Sequence, residues 1–191
     1  MVDILAIVAD PAAKGAVIGA LVLILLVAAW HKLSEPNMFL SALAGYRLVP
    51  PSLLEAAARS IPMLEIALAA GMLVPMTRGL ALIGVAILMI GYALAIGINL
   101  ARGRSYIDCG CGGAAHPLSW GLLVRNGVLA AAALAASGAT MDRPLDWLDA
   151  VTIVLGVLAF FITYLMADEL LRQASRMARA ERSTDTGSLS S

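Results

Sequence analysis

Five stretches of this chain are apolar for long enough to cross a hydrocarbon core, and no other feature restricts the fold so severely. They lie at about residues 15–30, 53–74, 79–100, 120–137 and 148–171; a helical crossing takes roughly 20 such residues. The wider composition agrees: 61% of residues are hydrophobic, 14% are charged and the mean hydropathy is +0.89, more apolar than a water-soluble domain requires. Only 5% are aromatic. With no strand-like alternation and no internal repeat, a transmembrane barrel is disfavoured. The sequence predicts an all-α polytopic membrane bundle of five spans, arranged as one domain over residues 1–171, with a four-helix core and a fifth, peripheral span as one arrangement. The preceding "MVDILAIVADPAAK" has no basic n-region, so the first span reads as retained and not as a cleaved signal.

The connections carry the remaining information. "HKLSEPNMFLSALAGYRLVPPS" is too polar to cross, but Met38, Phe39, Ala42, Leu43 and Tyr46 recur at helical spacing and predict a short interfacial helix. Residues 172–191 read as a basic helical extension followed by a Ser/Thr/Gly-rich, disordered end. The 13 basic and 13 acidic residues cancel, so no global field points to nucleic acid. Their placement sets orientation, because cytoplasmic loops are rich in Lys and Arg. Arg172, Arg176, Arg179 and Arg182 follow the last span and put the C-terminus in the cytoplasm. By parity, the 102–119 loop, with Arg102 and Arg104, shares that face with Lys32, Arg47 and Arg59. Lys14, Arg78 and Arg143 then lie outside with the N-terminus, which in a bacterial inner membrane is the periplasmic side.

Both cysteines of the chain stand in that loop, in "DCGCGG". Joining Cys109 to Cys111 around one residue needs a tight turn, which Gly110 permits. Such a bridge is strained and exchanges readily, which suits thiol–disulfide exchange better than stapling. Arg102, Arg104 and Arg125 favour a thiolate and Asp108 opposes it. Two other readings stand beside this one. The thiols can be buried filler, although glycines on both sides argue for a loop. Alternatively Cys109, Cys111 and His116, with Asp108, can approach a zinc or copper ion, but two thiolates leave a structural metal site incomplete.

The run "DCGCGGAAHPLSWGLLVRNGVLAAAALA", with "WHKL", "PNMFLSALAGYRLVPP" and "ARSIPMLEIALAAGMLVP" before it, resembles the MauE/DoxX-like family of redox-associated membrane proteins of methylamine utilisation. The similarity covers roughly residues 15–170. It is most specific at Asp108-Cys109-Gly110-Cys111, Ser119-Trp120 and Arg125-Asn126. The resemblance implies a multi-pass protein working with a thioredoxin-like partner, MauD, in maturing the disulfide-rich small subunit of methylamine dehydrogenase.

Several polar residues fall inside the spans: Glu65 in "IPMLEIAL", Asn99, Arg125 and Asn126. Ionisable groups at that depth need a partner or a cavity. Glu65 is expected to pack against Arg59, Arg125 or His31, and Asn99 or Asn126 to hydrogen-bond across helices. Pro62 and Pro75 bend or end the second span. His116 is the stronger of the two histidines as a base or ligand, and His31 has an interfacial explanation.

Cys109 and Cys111 thus form the candidate redox pair, able to close a disulfide, with His116, Arg125, Asn126, Glu65 and Asp108 in support. The loop is expected to re-enter the bundle, because a periplasmic client needs thiols reachable from the side opposite to the charge-based assignment. A membrane scaffold for a thioredoxin-like protein and a quinone-coupled oxidase are the alternatives. No quinone or metal signature is present in the sequence to select the latter.

Overall fold

A computed structural model describes residues 9–103, 118–141 and 143–188. Six α-helices account for nearly all of them: α1 (Pro11–Ser34), α2 (Pro36–Tyr46), α3 (Leu54–Leu73), α4 (Arg78–Ala101), α5 (Trp120–Ser137) and α6 (Trp147–Ser188). Five are long and apolar enough to cross a membrane: α1, α3 with its leading 3-10 turn (Pro51–Leu73), α4, α5 and the Trp147–Ala174 part of α6. The chain is a multi-pass α-helical membrane bundle. Asp108, Cys109, Cys111 and His116 lie outside the described residues, as do the disulfide and the re-entrant path expected for them.

Local chemistry explains the boundaries. Asp10 caps α1, accepting from the N–H groups of Ala12 (2.8 Å) and Ala13 (3.1 Å), while Pro11 takes the first helical position, where no N–H is needed. Pro36 ends α1, since the residue before a proline is pushed out of the helical region, and Glu35 sits at φ −128°, ψ 63°. The same proline starts α2. A short helix is expected here from the sequence, and it has Phe39, Ala42 and Tyr46 buried on one face. It stops at Arg47, the only non-glycine residue with positive φ (50°) among those described. In α3 helical structure continues past Pro62 and ends at Leu73, before Pro75.

The core is four helices, α1, α3, α4 and α5, joined by a continuous apolar cluster that includes Leu21, Leu25, Met72, Leu82 and Val85. A second cluster of Tyr46, Ile96, Leu118 and Leu122 closes the end where α4 stops and α5 begins. Helix α6 lies outside this core against α1. Small residues let them approach: a Cβ added at Gly156 would stand 2.7 Å from Ala16 Cβ, and one at Gly15 would stand 2.9 Å from Ile153. The helix continues to Ser188, so part of the tail expected to be disordered is helical.

At the opposite end, the start of α1 fastens the α5–α6 connection. Lys14 Nζ donates to the carbonyls of Gly138 (2.6 Å) and Ala139 (2.5 Å), just beyond the end of α5. Arg143 bridges Asp10 (2.9 Å) and Asp149 (2.7 Å).

Candidate functional site

The polar side chains inside the apolar bundle converge on one region, in the half that leads to residues 104–117. Glu65 (α3) is 1% exposed. Its Oε1 accepts from Lys32 Nζ (α1) at 2.6 Å and from the Tyr92 hydroxyl (α4) at 2.8 Å. Lys32 is 5% exposed, and its ammonium also lies 5.6 Å from the Phe39 ring centroid and 5.4 Å from that of Tyr92. One carboxylate oxygen therefore ties three spans together, and two aromatic rings flank the ammonium.

This corrects the partner expected for Glu65. The structure pairs it with Lys32 and Tyr92, and not with Arg59, Arg125 or His31. Arg59 is exposed beside Glu55 at 3.9 Å on the surface of α3. Lys32 escapes a sequence reading because it follows the first apolar run and resembles a flanking interfacial lysine. The available signal is its spacing. Lys32 falls seven residues after Leu25, on the helix face that is buried.

A second cluster adjoins the first. Arg125, early in α5, pairs through Nη1 with Asp168 of α6, and its guanidinium lies 5.4 Å from the Tyr164 ring centroid. Asp168 also receives Arg172 at 3.0 Å, which in turn is 3.4 Å from Glu169. Arg125 is thus neutralised inside the bundle. Lys32–Glu65 and Arg125–Asp168 are thus two internally neutral pairs, the arrangement that costs least where dielectric screening is poor.

The two buried amides do less than the sequence suggests. Asn99 Nδ2 donates to Ala95 O (3.0 Å) and Asn126 Nδ2 to Leu122 O (2.9 Å), each one turn back along its own helix. Between the ionic clusters lies a cavity of about 20 Å³, lined by polar groups from Lys32, Glu65, Tyr92, Arg125, Asn126 and Tyr164. All five spans contribute to it. A larger apolar groove, about 780 Å³, runs between α1, α5 and α6. Among the described residues no three His, Cys, Asp or Glu side chains stand together as a metal site would require.

The arrangement can fix five helices at one level and hold the end of α4 against the start of α5. Gly103, with φ 72°, closes α4, and Leu118 packs into the cluster with Ile96 and Tyr46.

The sequence profile described as methylamine utilisation protein MauE matches residues 7–139. The chain is 40% identical to a methylamine utilization protein MauE of Methylorubrum extorquens over 132 residues, covering 68% of this chain and 71% of that protein. It is 35% identical to the protein of that name from Paracoccus denitrificans over 153 residues, covering 78% and 82%. No solved structure matches the chain.

Proposed function

We propose, from the premise that this chain belongs to the MauE family of methylamine utilisation proteins, that it is a thiol–disulfide protein of the bacterial inner membrane. Cys109 and Cys111 are its redox pair. In this reading a thiolate of one partner attacks a disulfide sulfur of the other, a mixed disulfide forms as a thiolate leaves, and the second thiol of the attacking pair resolves it. The partner is a thioredoxin-like protein of the MauD kind, and the client is a disulfide-containing periplasmic protein such as the small subunit of methylamine dehydrogenase.

The observation that carries the proposal is the extent of the family match. Residues 7–139 take in both cysteines and both helices that flank them. The bundle supports it, since the closed ionic cluster and the packing of Leu118 and Leu122 hold those flanks rigid. Glu65 and Asn126 then act as positioning residues. His116 and Asp108 modulate the thiols from within the loop, which re-enters the bundle from the cytoplasmic face while the N-terminus is periplasmic.

A scaffold that recruits the thioredoxin-like protein without using its own thiols is the second reading. What favours it is that the buried charges Lys32, Glu65, Arg125 and Asp168 are satisfied in pairs, as in a framework. One experiment separates them. Cys109→Ser and Cys111→Ser single variants are expected to trap a mixed disulfide with the partner, identified by mass spectrometry, and the double variant is expected to abolish client maturation. A double variant that matures its client normally would leave only the scaffold.

A further inference from the structure

The cavity between the two ionic clusters is lined by side chains from all five spans and bordered by polar groups whose bonding is incomplete. Glu65 Oε2 is buried with no hydrogen-bond partner, although Oε1 of the same carboxylate has two. Arg125 Nε is likewise buried without an acceptor, while its Nη1 reaches Asp168. Both side chains line the cavity. A buried carboxylate oxygen and a guanidinium N–H left bare in a bilayer would each carry a substantial desolvation penalty.

The size of the space restricts what can relieve it. At about 20 Å³ it exceeds the 10–15 Å³ or so that one water needs and falls far short of an organic ligand. A metal cation is disfavoured, because Lys32 and Arg125 also border the cavity and only one carboxylate oxygen is open to it. One water has the bonding capacity for both orphans. It can donate to Glu65 Oε2 and accept from Arg125 Nε–H, and still have a hydrogen and a lone pair for Asn126 or Tyr164.

We propose that this cavity is a binding site for a single internal water, which joins the Lys32–Glu65–Tyr92 cluster to the Arg125–Asp168–Arg172 cluster. The water makes one hydrogen-bonded layer out of two. Helices α1, α3 and α4, tied by Glu65, are thereby locked to α5 and α6, tied by Arg125, with the water as the link between the two carboxylate centres. This assignment is independent of what the cysteines do.

Filling the space distinguishes a wet site from a dry one. Ala28 of α1 lines the cavity, so Ala28→Val expels whatever occupies it. If a water is there, the variant strands Glu65 Oε2 and Arg125 Nε, and the thermal midpoint in detergent is expected to fall by roughly 2–10 °C. Ala28→Ser, whose hydroxyl can replace the water's bonds, is expected to stay within about 2 °C of the parent. A rise on Ala28→Val, as when an empty cavity is filled, would overturn the proposal. Should Ala28→Val not fold, radiolytic labelling of the parent protein in H2(18)O decides. Met89, buried beside the cavity, is expected to take up 18O well above lipid-facing Met63, and equal, near-zero uptake at both refutes the water.

Discussion

Replacing Glu65 with leucine removes the atom on which three helices meet, and the structure sets the size of the effect. Glu65→Leu leaves the Lys32 ammonium inside the bundle with aromatic faces but no counter-charge. Breaking a buried ion pair from one side costs about 3–5 kcal/mol, because the surviving charge is uncompensated. The Tyr92 hydroxyl loses its acceptor as well. For a chain of this length about 1 kcal/mol moves the midpoint by roughly 2–4 °C, so a fall of about 6–20 °C is expected. The double variant Lys32→Met/Glu65→Leu removes both charges and keeps the volume. It is expected to lie within about 2 kcal/mol of the parent, since well-packed apolar replacements of buried pairs are often neutral. The assay is thermal unfolding of the purified protein in one fixed detergent, followed by tryptophan fluorescence. The decisive quantity is the coupling between the two sites. If the double variant is as unstable as the two single losses added together, Lys32 and Glu65 do not act as a buried pair, and the convergence of three spans on one carboxylate is without energetic meaning.

Three further outcomes follow from other contacts. Tyr92→Phe keeps the ring beside Lys32 and removes only the hydroxyl bonded to Glu65; it is expected to cost about 1.5–3 kcal/mol, the range for a hydrogen bond to a charged group, in the same unfolding assay. Gly156→Ala drives a methyl into Ala16 Cβ, and because neither group has a rotamer to change, α6 must shift from α1 at about 1–3 kcal/mol; adding Ala16→Gly is expected to restore most of the loss. Asp10 is held below the usual carboxylate range by the hydrogen bond from Arg143 and by the N–H groups of Ala13 and Ala12. A group depressed in the folded state stabilises fully above its unfolded pKa, near 4, and loses that contribution as pH falls through its folded value. The protection of amides around residues 138–141 against hydrogen exchange, relative to their intrinsic rates at each pH, is therefore expected to fall below about pH 4, and Asp10→Asn to remove that pH dependence.

The spans and the short helix between the first two were legible in the sequence because each rests on a local signal. Apolar length sets the crossings, and the Phe39, Ala42, Tyr46 spacing sets α2. Boundaries drifted where polar residues are buried. Helix α1 reaches back to Pro11 and forward to Ser34, taking in Lys14 and Lys32, which hydropathy treats as flanks. The need of Glu65 for a partner was readable from its depth, but the partner's identity was not, because it depends on how α1 turns against α3. The same holds for Arg125: its embedding was evident, whereas its pairing with Asp168, 43 positions away, is a matter of α6 crossing the bundle.

That pairing also changes the part Arg125 can play. In the sequence it stands as a cation that favours a thiolate nearby. In the bundle its charge is met by Asp168, Lys32 is met by Glu65 and Arg172 is also met by Glu169, so these six groups together present no net charge toward the end where α4 and α5 lead into the cysteine segment. A neutral, rigid layer exerts little field on a thiol but fixes the positions from which its loop departs. Arg102, exposed at the end of α4, lacks such an internal counter-charge among the described contacts. The electrostatic role expected of Arg125 is better suited to Arg102. In the thiol–disulfide reading, Arg102→Gln should therefore slow alkylation of the cysteines at neutral pH by reducing the thiolate fraction, with little change in unfolding temperature. Asp168→Asn should do the reverse, lowering the unfolding temperature by unpairing Arg125 while altering alkylation less. Thiol reactivity measured against pH, with the midpoint unmoved in Arg102→Gln and shifted in Asp168→Asn, would reverse this assignment and return the role to Arg125.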